Sequence, residues 1–179
     1  AIAICEALID AGHDASDLKY VGTIRGVETS LMADSTVESL FLPISGLQRS
    51  FSVRAILRNM ALPWRLLRSR LVARRYLSQW SPQVVVSVGG YASEPMSRAA
   101  IAAGIPLVCV SYDHLAGLAT RRQAKHAQVC AVAFADSNLP RARVTGAPVR
   151  RVLRTLHVSE YRVQARQELH VSEEDSLIV

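Results

Sequence analysis

The feature that most constrains this chain is a set of short apolar runs that do not alternate with polar residues. "LKYVGT" (Leu18–Thr23), "SLFLPIS" (Ser39–Ser45), "QVVVSV" (Gln83–Val88), "IPLVCVS" (Ile105–Ser111) and "QVCAVAF" (Gln128–Phe134) each read as a strand covered on both faces. Segments with helical character stand between them. They are "ETSLMADS", a long stretch from Ser52 to about Gln79 that Pro63 interrupts, "PMSRAAIAAG" with Pro95 in its first turn and Gly104 as its stop, and Ala116–Ala127. A parallel strand can be reached only through a crossover, and the crossover is most often a helix. The expected fold is therefore α/β, a doubly wound parallel sheet. "AIAICEALIDAGHD" reads as a helix stopped by Gly12, and "RARVTG" adds a last short strand.

In such sheets ligands collect beyond the carboxyl ends of the strands. Small polar clusters recur at those ends: "GTIRG", "SG", "GGYAS", "SYD" and "TGAPVR". The clearest is Gly89-Gly90-Tyr91-Ala92-Ser93, which follows a valine-rich strand and precedes a helix. Missing side chains let backbone N–H groups approach an anion, and a helix N-terminus favours negative charge. The same glycines serve equally to permit a tight turn. The GxGxxG dinucleotide fingerprint is absent.

Charge points to anionic partners. The formal net charge is +6 and the pI about 9.7. No Asp or Glu occurs from Ser39 to Ser93, while Arg49, Arg54, Arg58, Arg65, Arg68, Arg70, Arg74 and Arg75 do. Trp64, Leu66, Leu67 and Leu71 are interleaved with them. Three readings stay open: an interfacial element that meets anionic lipid, an ordinary solvated arginine face over a core face, or a nucleic-acid surface. Arg without Lys and no known nucleic-acid motif set the last aside, so no nucleic acid is expected. No apolar run is long enough to span a membrane.

Catalytic candidates are sparse. His114 and Asp113 are adjacent at a strand end; His13, His126, His157 and His170 read as surface residues. No HExxH and no His/Cys cluster suggests a metal. Cys5, Cys109 and Cys130 lie far apart in apolar surroundings and read as reduced, buried thiols. The chain opens mid-helix without an initiator Met and closes on "SLIV", the start of a strand, so both ends read as cut from a longer protein. Residues 1–150 read as one domain. Residues 151–179 read as a charged linker helix and the first strand of a second domain.

The motifs taken together resemble the MurG-type glycosyltransferases. "VGTIRGVE", "PISGL", "VVVSVGGYAS" with a following Pro, "AGIPLV", "AGLA" and "TGAPVR" stand in that family's order, over residues 1 to about 155. The usual family forms are "ISGL", "GGYVSGP", "GIP", "HEQN…GLTN" and "GNPVR". The resemblance implies the N-terminal half of a glycosyltransferase B-type fold, two Rossmann-like domains facing across a cleft. It implies inverting, metal-independent transfer of N-acetylglucosamine from UDP-N-acetylglucosamine to lipid I, the undecaprenyl-pyrophosphoryl-muramyl-pentapeptide, giving lipid II for peptidoglycan synthesis. No cofactor is implied. The enzyme would sit peripherally on the cytoplasmic side of the cell membrane, against an anionic surface.

Residue by residue, the resemblance makes Gly89, Gly90, Tyr91, Ser93, Ser45 and Gly46 a cradle for the acceptor pyrophosphate. It gives Arg150 a donor contact, and Trp64, Arg65, Leu66, Leu67 and Arg68 a membrane-facing role. Two departures stand out. "HEQN" is replaced by Val110-Ser111-Tyr112-Asp113, which puts a carboxylate at Asp113 where an Asn would contact the donor and would repel a diphosphate. "GNPVR" reads Gly146-Ala147-Pro148-Val149-Arg150. The family's Gly-rich loop with its catalytic His would precede Ala1, so no catalytic residue is expected within these residues and the fragment alone should be inactive. Two alternatives remain: a glycosyltransferase of the same fold with another acceptor, and a non-catalytic membrane-surface module.

Overall fold

The computed structural model describes residues 1–24, 28–33, 35–42, 62–172 and 174–176. Every strand pairing among them is parallel. β1 (Lys19–Thr23) pairs with β2 (Glu38–Leu42), Lys19 opposite Glu38 and Thr23 opposite Leu42. β3 (Val85–Ser87), β4 (Leu107–Ser111), β5 (Val129–Val132) and β6 (Ala142–Val144) form a second sheet in that order. A shared hydrophobic cluster joins the two: Val21 of β1 and Val85 of β3 both pack against Ala73, Leu77, Met96, Ala99 and Ala100. The α/β fold expected from the apolar runs is the one observed.

The crossovers are helical. α1 (Ile2–Asp10) ends at Gly12, whose φ of +95° lets the N–H groups of Gly12 and His13 return to Ile9 and Leu8. α2 (Glu28–Ala33) links β1 to β2. α3 (Leu62–Trp80) precedes β3, α4 (Glu94–Ala102) follows it, and α5 (Leu118–Ala124) joins β4 to β5. Pro63, the expected point of interruption, stands at the start of α3, and what precedes it at 43–61 lies outside the described residues. It lies in the first turn, where backbone N–H groups have no intrahelical acceptor, so its missing donor costs nothing. The expected helix over 52–61 and the strand end at 43–45 lie outside the described residues, as does "LIV" at the carboxyl end.

The sheet's two faces differ. On one, Leu107, Cys109, Cys130 and Val132 pack with Ala116, Ala124, Ala127 and Leu139. On the other, Val86, Val108 and Val129 stand side by side in register, and Val86 keeps 40% of its surface exposed. Cover on both faces, expected from the lack of alternation, is thus close over β4 and β5 on the first face, open at β6, where Val144 stands beside Val132 yet is exposed, and partial on the other face among the described residues.

Beyond Arg150 the expected single linker helix is two: α6 (Arg151–Arg154) and α7 (Val158–Glu168). The Thr155 hydroxyl donates to the carbonyl of Arg151 and closes α6, and His157 turns extended before α7. α6 is tied to α1 by charge. Arg151 and Arg154 pair with Asp10, and the Arg151 N–H donates to Glu6 at 2.6 Å.

Cys109 and Cys130 are register partners, both without solvent contact. Burial pushes the Cys109 thiol up to about 12 and raises Cys130 as well. Both stay protonated and unreactive in the folded protein. At pH 8 a thiol reagent should label only Cys5 until denaturant is added. An unfolded thiol ionises near its ordinary value and a folded one does not, so the stability is whole below pH 9. It should fall above that at up to about 1.4 kcal/mol per pH unit for each of the two thiols, and less steeply in Cys109→Ala. Urea melts between pH 8 and 11 measure both slopes.

Candidate functional site

Parallel strands put all their carboxyl ends on one edge, so the loops after β3, β4 and β5 are neighbours. The loop after β3 carries the two glycines. Gly89 has φ +81° and Gly90 φ +75°, the left-handed region that side chains disfavour. At Gly89 a second constraint applies: a Cβ built there would lie 2.6 Å from Thr120 Oγ1 on α5. At Gly90 the space is open, so only its backbone conformation calls for glycine.

The loop is anchored from below and open above. The Gly89 N–H turns inward and donates to Ser87 Oγ at 3.2 Å. The Ser93 hydroxyl donates to the Gly90 carbonyl at 3.0 Å. Among the described residues the N–H groups of Gly90 and Tyr91 have no acceptor in the chain, and both residues are exposed. The cradle expected from the resemblance therefore loses one of its donors, Gly89, to Ser87, and among the described residues the N–H groups of Ala92 and Ser93 are without an acceptor as well. Ser45 and Gly46, assigned to the same cradle, lie outside the described residues.

Three residues that sequence reasoning missed build the floor. Gln123 of α5 is 1% exposed. Its Oε1 accepts from Ser87 Oγ at 2.6 Å, and its Nε2 donates to Ser93 Oγ at 3.1 Å and Glu94 Oε2 at 3.2 Å. Glu94 also accepts from Arg98 Nε at 2.9 Å and faces Arg70 at 3.9 Å. Thr120 closes the side under Gly89. A signal existed for Glu94: the family form "GGYVSGP" has glycine at that position. None existed for Gln123, because its partners are assembled only by the fold.

The loops after β4 and β5 carry a second cluster. His114 Nε2 lies 3.7 Å from Asp136 Oδ2, and its ring meets Phe134 edge-on at 5.5 Å. Tyr112, Asp113, His114 and Leu115 are all exposed on this edge. Asp113 and His114 adjoin in sequence, but it is Asp136 that pairs with the imidazole. His13, His126, His157 and His170 are exposed, as expected. Among the described residues no group of three or more His, Cys, Asp or Glu is placed to hold a metal.

Residues 1–132 match the glycosyltransferase family 28 N-terminal domain. The chain belongs to glycosyltransferase family 28. Curated relatives bearing the name UDP-N-acetylglucosamine–N-acetylmuramyl-(pentapeptide) pyrophosphoryl-undecaprenol N-acetylglucosamine transferase include one from Sodalis glossinidius. It is 36% identical over 149 residues, which is 83% of this chain and 41% of the relative. Another, from Desulforudis audaxviator, is 35% identical over 176 residues, 96% of this chain and 45% of the relative. The chain spans less than half the length of these relatives. Among solved structures, MurG from Acinetobacter baumannii matches with a TM-score of 0.68 at 23% identity, over 84% of this chain and 42% of that one. A UDP-GlcNAc 2-epimerase from Neisseria meningitidis, solved with UDP-GlcNAc bound, matches with a TM-score of 0.62 at 15% identity, over 98% of this chain and 52% of that one. At those identities both speak for the fold alone.

The remaining assigned residues of this family 28 chain sit as follows. Arg150, half-buried, caps the start of α6 and faces Glu6 at 3.5 Å. Leu67 and Arg68 are exposed on α3, while the side chains of Trp64, Arg65 and Leu66 lie outside the described residues.

The two demands on Gly89 can be separated. Gly89→Ala should lower stability by about 1–3 kcal/mol, since it forces a positive φ and crowds Thr120. Adding Thr120→Ala should return only the steric part. Denaturant titrations of the single and double variants measure the split.

Proposed function

We propose that this chain is the acceptor-binding half of an enzyme that transfers N-acetylglucosamine from UDP-N-acetylglucosamine to lipid I. The observation that carries the reading is the loop Gly89–Ser93. In a family 28 N-terminal domain it stands at the carboxyl edge with N–H groups, those of Gly90 and Tyr91 the most exposed, that have no acceptor among the described residues, above a floor that already holds Ser87, Ser93 and Glu94 in place. Such a loop suits a pyrophosphate, which accepts several hydrogen bonds and carries the negative charge that a helix N-terminus favours. The names of the curated relatives supply both substrates, and the reading extends them to this chain.

The rest of the enzyme follows as part of the proposal. Residues 151–179 lead into a donor domain. Transfer inverts the sugar carbon without a metal, the hydroxyl of the acceptor displacing UDP after a base removes its proton. Arg150 contacts the donor, and a donor diphosphate must compete with Glu6 for it. Asp113, exposed beside the same edge, stays off the diphosphate or meets the sugar hydroxyls instead. The protein works peripherally at the cytoplasmic side of the cell membrane. Leu67 (48% exposed) and Leu71 (58% exposed) lie one turn apart on α3 with Arg68 beside them, an apolar and basic face suited to anionic lipid.

A second reading has its own observation. Val110-Ser111-Tyr112-Asp113 stands in place of the family's usual HEQN at the end of β4, with the His114–Asp136 pair beside it, which favours a related glycosyltransferase with another acceptor.

The first test expresses the full-length product of the gene that encodes this chain and supplies UDP-N-acetylglucosamine with a short-chain lipid I analogue. Product establishes the reading. No product, with turnover of another lipid-linked acceptor, moves the assignment to the second. Within an active enzyme, Arg150→Ala should raise the KM for UDP-N-acetylglucosamine about tenfold, roughly the value of one charge-assisted contact, and leave the acceptor KM unchanged. Leu67→Glu with Leu71→Glu should abolish sedimentation with phosphatidylglycerol vesicles while leaving turnover of the soluble acceptor analogue in place.

A further inference from the structure

We propose that Gln123 is a positioning residue for the acceptor: it fixes Ser93 and Glu94 so that the Gly90 and Tyr91 N–H groups stay aimed at the bound pyrophosphate. This rests on the acceptor reading given above. Gln123 does not reach the open side of the loop, being 1% exposed, so it acts only through its neighbours. Its one amide joins four pieces of chain: β3 through Ser87, the loop through Ser93, the first residue of α4 through Glu94, and α5, which carries it.

Two consequences follow from that geometry. The first concerns shape. Ser93 Oγ donates to the Gly90 carbonyl and Ser87 Oγ accepts from the Gly89 N–H, so both ends of the glycine pair are set by hydroxyls that Gln123 holds. Glycine has the widest conformational freedom of any residue, and a Gly-Gly pair keeps one conformation only where its surroundings impose it. The second concerns charge. Glu94 opens α4 directly beside the loop, where a free carboxylate would repel a pyrophosphate. Gln123 Nε2, Arg98 and Arg70 together hold it, and the two guanidinium groups offset its charge. Removing the amide frees the hydroxyls and leaves the carboxylate to the two arginines alone.

The test uses the full-length enzyme and two variants. Gln123→Met keeps length and volume and removes every hydrogen bond. Gln123→Glu keeps an acceptor for Ser87 but loses the donor to Ser93 and Glu94 and adds a negative charge. The acceptor KM should rise about tenfold in Gln123→Met and further in Gln123→Glu, with kcat at saturating acceptor and the donor KM unchanged. Amide hydrogen exchange, read in the absence of substrate, should quicken over 88–94 and stay unchanged over β4 and β5. A role in stability alone would lower kcat by shrinking the active fraction and leave the acceptor KM in place; that result overturns the proposal. Unchanged exchange over the loop overturns it as well. Quicker loop exchange in an enzyme that turns over a different acceptor, with that acceptor's KM raised, sinks the lipid I assignment and keeps the positioning role. If the altered KM belongs to the donor instead, the loop serves the nucleotide sugar and the proposal fails.

Discussion

A buried primary amide carries two acceptor lone pairs and two donors, and inside a protein each unmet one costs about 1–3 kcal/mol. Gln123 meets this demand by drawing Ser87, Ser93 and Glu94 to itself, and much of the local structure follows. β3 ends at Ser87, whose hydroxyl is committed to Gln123 and to the Gly89 N–H. The chain must then reverse within a few residues to enter α4, over a floor that Thr120 has already raised. Only glycine fits that path at 89. The loop is thus a product of packing between α4 and α5 as much as of its own sequence.

This explains which parts could be read from the residues. The strands at 105–111 and 128–134 are unbroken apolar runs, and burial in a parallel sheet is the one setting that rewards such runs. Gly12 and Gly104 announce helix ends because only the left-handed backbone closes a helix in that way, and both show positive φ. Pro63 carries two meanings, helix breaker and helix first turn, and both agree with α3 starting beside it. The break at Thr155 was hidden: a threonine inside a charged, helix-like stretch declares its capping bond only once the helix is built.

The site was legible as a place and not as a mechanism. Glycines at 89 and 90 point to a loop beside a helix start from spacing alone. That one of the two N–H groups faces inward depends on Ser87, and that the site stands on a polar floor depends on a glutamine more than thirty residues later. Long-range polar contacts leave no periodicity in a sequence. Glu94 is the exception, a carboxylate where the family pattern has glycine, and its meaning appears only with Arg70 and Arg98 beside it.

That substitution bears on how a family loop can change without losing its task. Glycine at 94 would leave the α4 N-terminus bare, its partial positive charge available to an anion. Glutamate at the same position stabilises the helix by the same electrostatics and so competes with any ligand for that end. The competition is relieved only if the carboxylate is turned aside and compensated. Arg98, one helical turn on, turns it along α4, and Arg70 reaches it from α3. Gln123 adds the hydrogen bond from below that fixes the rotamer. A glutamate at 94 therefore makes sense beside these three partners, and an acidic residue there without them would work against an anionic ligand.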